Sequence, residues 1–518
     1  MTSSIRRNVL RLLIESGFQI TPDALDYILG QDSPIDTVES VLLRNTPENH
    51  PHILSKPYVE SLIEETLEWD FHVEKNPERD VVGSEGLVED FLALFRDRFN
   101  RIKRIYMNRI DTQNAVSPYT AKLRKGSARA RKAMSREGMR TTARPSQVVI
   151  GVVKDRNISR SKNVIVELEH IEKVKVGDQF EDRYSTIICV IPVNREGLKG
   201  QHLAEKANSL LLDEVVCISG YVDEEARMIA DDVIFPDIPT AHAVGRAKRE
   251  VYAAFISDIH CGSKEFLEDE FDQFIAWMNG QGVAESDKQL VKKIRYLFIA
   301  GDIADGISVY PGQRTDLCVS SIYEQYDLFA SKIKKLPNHV KMFCIPGNHD
   351  ASRQALPKPP ISEEFAAPLY NLGNRITMLG DPSQVVVEGV NVLITHGDGL
   401  DDLVTNVPGA SYIAPAESMK ELLKKRHLVP LYGGKTELAP LHRDWMVIDT
   451  PPDVVHFGHA HHNAVDNYRG VQIINSGTFQ SQTEFMRKQG VVPTPGIVTF
   501  MNLQTGAPEI KIFYDYSA

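Results

Sequence analysis

Apolar positions along this chain first recur with a helical period, then alternate over short strands, and finally gather into unbroken runs. Ile5, Val9, Leu12 and Leu13 keep helical spacing, while Thr21-Pro22 and Ser33-Pro34 each set a capping hydroxyl before a first-turn proline. A small helical module over residues 1–45 is predicted from this. Residues 46–145 read as a linker with helices and a basic segment. One helix is expected over Tyr58–Trp69, and a stronger one after Ser84, where Leu87, Phe91, Leu94, Phe95, Phe99 and Ile102 make a stripe suited to a core or an interface. From Val148 to Val233 the pattern turns to strands: Val148–Val153, Val164–Leu168, Thr186–Ile191, Glu214–Gly220 and Met228–Val233, with a longer excursion over Glu196–Leu210. Such spacing suits an OB-type β-barrel over residues 146–240. Phe180 and Tyr184 are expected in a loop, and no strand shows a ring-bearing face. A barrel packed on its neighbour is therefore favoured over an independent binder of single strands. Past residue 250 the runs Tyr252–Ser257, Tyr296–Ala300, Val340–Ile345 and Val390–Thr395 predict buried strands, and the fold class is α/β over 250–518.

Composition narrows the setting. A chain of 518 residues exceeds one comfortable core and divides into about two or three domains. Its net charge of −11 argues against a wholly electrostatic coat on DNA, but leaves room for a local basic path. One candidate path lies between Ser117 and Pro145, where Lys122, Arg124, Lys125, Arg129, Arg131, Lys132, Arg136, Arg140 and Arg144 stand against a single acid, Glu137. It reads either as a solvated linker or as a phosphate-contacting segment without sequence preference. The cysteines Cys189, Cys217, Cys261, Cys318 and Cys344 show no Cys-x-x-Cys pair, which suggests a reducing compartment and no structural zinc. No apolar run reaches the length of a membrane span and the amino terminus lacks a signal-peptide hydrophobic region, so a cytoplasmic protein is expected.

The polar residues that follow the apolar runs carry the chemistry. They are Asp258 and His260, Asp302, the run Asn348-His349-Asp350, His396, and the pair His459 and His461. All are expected at the C-terminal edge of one sheet, where α/β proteins build their sites. Two divalent cations roughly 3.5 to 4 Å apart need a carboxylate between them and a mixed oxygen and nitrogen shell. Asp302 suits the bridge. Asp258, His260 and His461 suit one ion, and Asn348, His396 and His459 the other. Manganese is the first choice, with magnesium, iron or zinc as alternatives. Water between such ions loses a proton near neutral pH and attacks phosphorus. His349 is expected to stabilise the phosphorane or protonate the departing oxygen, with Asp350 orienting its imidazole. Asp305 fits a helix cap or a supporting role as well as a ligand role. Cys261 reads as a small buried residue.

This set resembles the calcineurin-like metallophosphoesterase superfamily, in its nuclease branch. The stretches Gly347-Asn-His-Asp-Ala-Ser-Arg-Gln354, Tyr432-Gly-Gly-Lys-Thr-Glu-Leu-Ala-Pro440 and Tyr468 to Phe485 are similar to the small subunits of archaeal family D DNA polymerases, over roughly residues 85–518. The resemblance implies a phosphoesterase sandwich beside an OB-type barrel and a proofreading 3′→5′ exonuclease acting on a DNA primer 3′ end. It also implies a large catalytic polymerase subunit as heterodimer partner and a nucleoid-associated location; the sequence shows no convincing sliding-clamp peptide of the Gln-x-x-aliphatic-x-x-aromatic-aromatic kind, so any clamp contact is expected through that partner. His396-Gly-Asp-Gly-Leu-Asp-Asp402 departs from the basic or hydroxylic residues expected after His-Gly, so Asp398 is expected to tune metal choice. Two other classes compete: a stand-alone repair nuclease or phosphodiesterase, which would lack the barrel, and a scaffold B-subunit, which would have lost the ligands.

Overall fold

Strands buried on both faces need neighbours above and below, and the apolar runs find them in two sheets. The computed structural model describes residues 2–31, 34–44, 53–59, 69–77, 84–124, 146–176 and 179–517. In it, Ile376–Met378, Lys341–Ile345, Ile294–Ala300 and Tyr252–Ile256 lie side by side and parallel, and the antiparallel strands Ile497–Asn502 and Pro508–Ile512 complete a six-stranded sheet. A second six-stranded sheet runs in the order Ala464–Tyr468, Val471–Asn475, Val454–Phe457, Val390–Ile394, Ser383–Val387 and Phe71–Lys75. Phe255, Phe298 and Phe343 of the first sheet pack against Val392, Val454 and Ile474 of the second. Helices Glu268–Met278 and Ile322–Ile333 cover the outer face of the first sheet, and Pro415–Lys425 that of the second. This is the α/β sandwich that the resemblance implies.

The expectation of a single sheet is corrected here. Val390–Ile394 and Val454–Phe457 pair with each other, with Val392 opposite Val454, and not with the sheet that carries Asp258 and Asp302. An apolar run shows that a strand is buried; it does not show which ladder the strand joins.

Phe71–Lys75, within the stretch read as a linker, is the edge strand of the second sheet and pairs antiparallel with Ser383–Val387. Its sequence, Phe-His-Val-Glu-Lys, alternates with only two apolar residues and gave no strong strand signal. Lys75 is buried, its ammonium donating to the carbonyls of Trp445 and Val447, and burial pushes its pKa down to about 7.

The barrel is closed, with strands Gln147–Ile158, Val164–Val176, Gln179–Ile191, Val215–Val222 and Met228–Ile234. The first strand pairs with the second and the fourth, and the third meets the fifth in parallel. The second and third strands are longer than expected and form a hairpin paired from Val164↔Ile191 to Val176↔Gln179. Phe180 and Tyr184 accordingly lie on a strand and not in a loop. The charged alternation of Glu181-Asp182-Arg183 obscured that strand. The excursion holds helix Leu198–Asn208.

Helix Val88–Met107 bears out the predicted stripe except for Leu87, which caps the helix and is exposed, and it joins barrel to sandwich. Phe99, Ile102 and Tyr106 pack with Ile150, Val215 and Cys217 of the barrel. Arg98, 1% exposed, donates from Nε to Asp444 at 2.7 Å and from Nη1 to the Pro430 carbonyl at 2.7 Å. At the amino terminus, helices Thr2–Glu15, Pro22–Leu29 and Pro34–Arg44 match the predicted module, and Gln19–Ile20 adds a short parallel pairing with Ile53–Leu54. Most of the helix expected over 58–69, and the basic segment beyond Arg124, lie outside the described residues. All five cysteines are free and Cys261 is buried, as read. Among the described residues no helix is long and apolar enough to cross a membrane.

Removing one partner of a buried ion pair leaves an uncompensated charge, which costs about 3–5 kcal/mol. Arg98→Met is therefore expected to lower the urea midpoint of unfolding markedly, with Arg98→Met/Asp444→Leu recovering part of the loss. Equal midpoints for the wild type and Arg98→Met would contradict the fastening role of this helix.

Candidate metal centre

Side chains at strand ends can converge only if the chain turns sharply after the last ladder bond. Asp258, His260, Asp302, His459 and His461 all take left-handed backbone conformations, with φ of 53°, 52°, 50°, 66° and 52°. Asp and His tolerate this region better than bulky residues, at about 1–3 kcal/mol each. Backbone bonds hold the turns: Asp258 N–H donates to the Gly301 carbonyl and His260 N–H to that of Asp302, both at 3.0 Å. Gly301, at φ 83°, has no room for a side chain, because a Cβ there would stand 2.4 Å from the Gly347 nitrogen.

The C-terminal ends of strands from the two packed sheets converge at these turns. Asp258, His260, Asp302, Asn348 and His349 come from the first sheet, and His396, His459 and His461 from the second. On one side, His260 Nε2 and His461 Nε2 face each other at 3.1 Å, with Asp258 Oδ1 3.3 Å from His461 and Asp302 Oδ2 3.8 Å from His260. On the other, Asn348 Oδ1 lies 2.8 Å from His396 Nε2 and 3.1 Å from His459 Nδ1, and Asp302 Oδ2 lies 3.4 Å from His396. Asp302 thus touches both groups. Ligand atoms of Asp258, His260 and His461, and separately those of Asp258, Asp302 and His396, lie within 4.8 Å of one another. Imidazole nitrogens crowded against each other and against carboxylates form a donor set suited to cations. The residues present fit such ions.

The surrounding shell fixes which nitrogen each ring presents. His260 Nδ1 meets Asp305 Oδ1 at 3.1 Å, His396 Nδ1 donates to the Ala300 carbonyl at 2.7 Å, and His459 Nε2 meets Asp401 Oδ1 at 2.8 Å. Such partners orient ligand imidazoles and set their tautomer. Asp305 therefore supports His260. Asp401 was missed from the sequence, although it stands five residues beyond His396, in the first turn of helix Leu400–Asn406.

Asp350 is a correction. Its carboxylate accepts from the backbone N–H groups of Ala304 at 3.2 Å and Gly347 at 2.9 Å and from the Tyr326 hydroxyl at 3.1 Å, binding the Asp302 turn to the Asn348 turn. The ring of His349 is instead oriented by the carbonyl of Asp305, 2.7 Å from Nδ1. Adjacent side chains at a turn point apart, so neighbours in sequence were poor guides to partnership.

Asp398 pairs with Lys358, whose Nζ lies 2.7 and 3.0 Å from the two carboxylate oxygens, and Lys358 is 0% exposed. The lysine gave no sequence signal beyond its place among prolines. It offsets the acidic departure after His396-Gly. Asp381 joins them, accepting from the His396 backbone N–H at 3.1 Å, and its pKa is pushed up to about 6 by burial.

Burial alone would drive His396 towards neutrality, but the carboxylates of Asp302, Asp258 and Asp398 raise its pKa to about 10. Burial would raise that of Asp302 too, yet His396, His349 and His260 hold it well below the ordinary carboxylate range. The cluster is electrostatically interdependent, so neutralising one member alters all of them.

The family model for the B-subunit of DNA polymerases alpha and epsilon matches residues 254–465. The DNA polymerase II small subunit of Archaeoglobus fulgidus is 38% identical over 423 residues, covering 81% of this chain and 77% of its own length. That of Methanothermobacter thermautotrophicus is 38% identical over 417 residues, covering 80% and 78%. That of Pyrococcus horikoshii is 36% identical over 438 residues, covering 84% of this chain and 64% of the relative. A solved archaeal phosphodiesterase aligns over 51% of this chain and 99% of its own at 13% identity, with a TM-score of 0.26, a likeness too slight to bear on the chemistry.

Asp302, the expected bridge, keeps its volume and loses its charge in Asp302→Asn. Bound manganese, counted by elemental analysis after dialysis, is expected to fall while the fold, followed by circular dichroism, persists. A variant that retains full metal content would show that Asp302 is not the bridge.

Proposed function

The chain belongs to the family of archaeal DNA polymerase II small subunits, and from that premise we propose that it is the proofreading 3′→5′ exonuclease of a heterodimeric replicative DNA polymerase. The observation that carries this reading is the convergence at Asp302: its Oδ2 lies 3.8 Å from His260 Nε2 in one group of donors and 3.4 Å from His396 Nε2 in the other, the two groups being drawn from both sheets.

In this reading Asp258, His260 and His461 would hold one divalent cation and Asn348, His396 and His459 another, and Asp302, which approaches both groups, would serve each. The mixed shell suits manganese. When bound, such a pair of cations supplies Lewis acidity toward the phosphoryl oxygens and lowers the pKa of water. His349 contributes from the protein side. Its Nδ1–H is committed to the Asp305 carbonyl, so Nε2 is the atom available to exchange a proton with the departing 3′ oxygen. Burial lowers the pKa of His349, which favours the neutral ring until the negative charge of a phosphodiester enters. The backbone N–H of His349 donates to Asp302 Oδ1 at 2.8 Å and so ties this ring to the bridge.

Residues 250–518 form the nuclease domain with help from Phe71–Lys75, residues 146–240 an OB-type domain, and residues 1–45 a helical module. Polymerisation belongs to a large partner subunit, since this chain carries no polymerase palm signature. The scaffold alternative requires lost ligands, and every ligand position is filled here.

The reading is tested with the full-length chain, alone and with its large subunit, given manganese and 5′-labelled single-stranded or mismatched duplex DNA. A ladder shortening by one nucleotide is expected; internal cuts or intact DNA would overturn it. In the same assay, His349→Ala should keep its metal and slow single-turnover cleavage by about 10² to 10⁴. Loss of metal from that variant would make His349 a ligand.

A further inference from the structure

Beside the candidate metal centre two aromatic rings form a stacked pair, Tyr310 half-buried and Phe485 open to solvent. Phe485, 53% exposed, lies stacked on Tyr310, with centroids 5.8 Å apart and planes inclined by 24°. Tyr310 in turn lies 6.4 Å from the ring of His349, which sits edge-on to His260 at 4.7 Å. A row of rings therefore leads from a ligand outward to the surface. Ile307 and Val309, 46% and 37% exposed, flank it. A large apolar side chain left half in water beside a polar centre needs a reason, because burial is its favourable state.

The pair is also held in register with the metal centre. Tyr310 belongs to the loop that carries Gln313, and Phe485 to the arm that follows Gln480. Gln313 Nε2 donates to Asp305 Oδ2 and Gln480 Nε2 to Asp305 Oδ1, each at 3.0 Å. Asp305 is the carboxylate that orients His260. Both aromatic segments are thus anchored to one residue of the centre, and Tyr310 is further fixed by its hydroxyl donating to Asp316 at 3.1 Å. Thr483 caps the short helix Glu484–Gln489 and so aims Phe485.

We propose that Tyr310 and Phe485 form a stacking step that receives the terminal nucleobases of a single-stranded DNA end and sets the preference for unpaired ends. The inference rests on the nuclease reading above and deepens it. Flat apolar rings accept any base on their faces, which suits an activity that must remove whichever nucleotide is misplaced. A paired base already stacked in a duplex gains little by moving there, so the step selects ends that have left their template.

The test uses the full-length protein and single strands carrying 2-aminopurine, a base whose fluorescence falls on stacking, at the 3′ end. Wild type in calcium, without cleavage, is expected to quench this signal on binding; Phe485→Leu and Tyr310→Leu should quench it much less, and Phe485→Tyr should restore it. In manganese, wild type should prefer a natural end over one with two abasic terminal nucleotides by about tenfold in kcat/KM, and Phe485→Leu should bring this ratio near one. Unchanged quenching in both leucine variants, or a wild type indifferent to abasic ends, would overturn the stacking step while leaving the nuclease reading intact. Quenching that depends on both rings in a protein that cuts no DNA would instead overturn the nuclease reading alone.

Discussion

The carboxylate of Asp302 is the point at which the two sheets become one site. It is 2% exposed, and a buried carboxylate is tolerated only when charge and hydrogen bonds surround it. His396 reaches it from one sheet, His260 and the His349 backbone from the other. Neither sheet alone provides that environment. The packing of Phe255, Phe298 and Phe343 against the second sheet therefore does more than bury area: it sets the distance at which the two groups of donor side chains approach one carboxylate.

Because the site lies on a seam, the elements that keep the sandwich closed have consequences for it. Lys75 and Arg98 lie in the stretch between the helical module and the barrel, far in sequence from any ligand. Arg98 sets a buried cation against Asp444, and Lys75 donates to the carbonyls of Trp445 and Val447. These residues follow the loop carrying Thr436, whose hydroxyl donates to the Asp398 carbonyl at 2.8 Å. The barrel is fastened by the same helix, and by Lys425, which pairs with Glu214 at 2.7 Å with both side chains buried. Ion pairs of this kind add little net stability, but they fix geometry, since breaking one leaves a bare charge.

Around the ligands the same economy recurs in Asp305. One carboxylate orients His260, while its neighbouring carbonyl orients His349 and its oxygens receive the glutamines that hold the outer loops. The outer loops are thus anchored to the residue that orients His260, which matters for any chemistry that depends on placing an atom within a fraction of an ångström.

The candidate ligand residues, their order and their position after apolar runs were legible in the sequence, because metal coordination would demand such atoms and those residues have little packing value at strand ends; the structure shows that they converge. The helical module, the interface stripe of helix Val88–Met107 and the barrel were legible for a similar reason: their periodicities are local. What the sequence did not carry was partnership at long range. That the ligands come from two sheets, that Phe71–Lys75 completes one of them, that Asp350 braces two turns while a carbonyl orients His349, and that Lys358 neutralises Asp398 were all decided by packing. Hydrogen-bond partners and ladder neighbours are chosen in three dimensions among many side chains of the same chemistry, and only the folded chain brings a particular pair within about 3 Å.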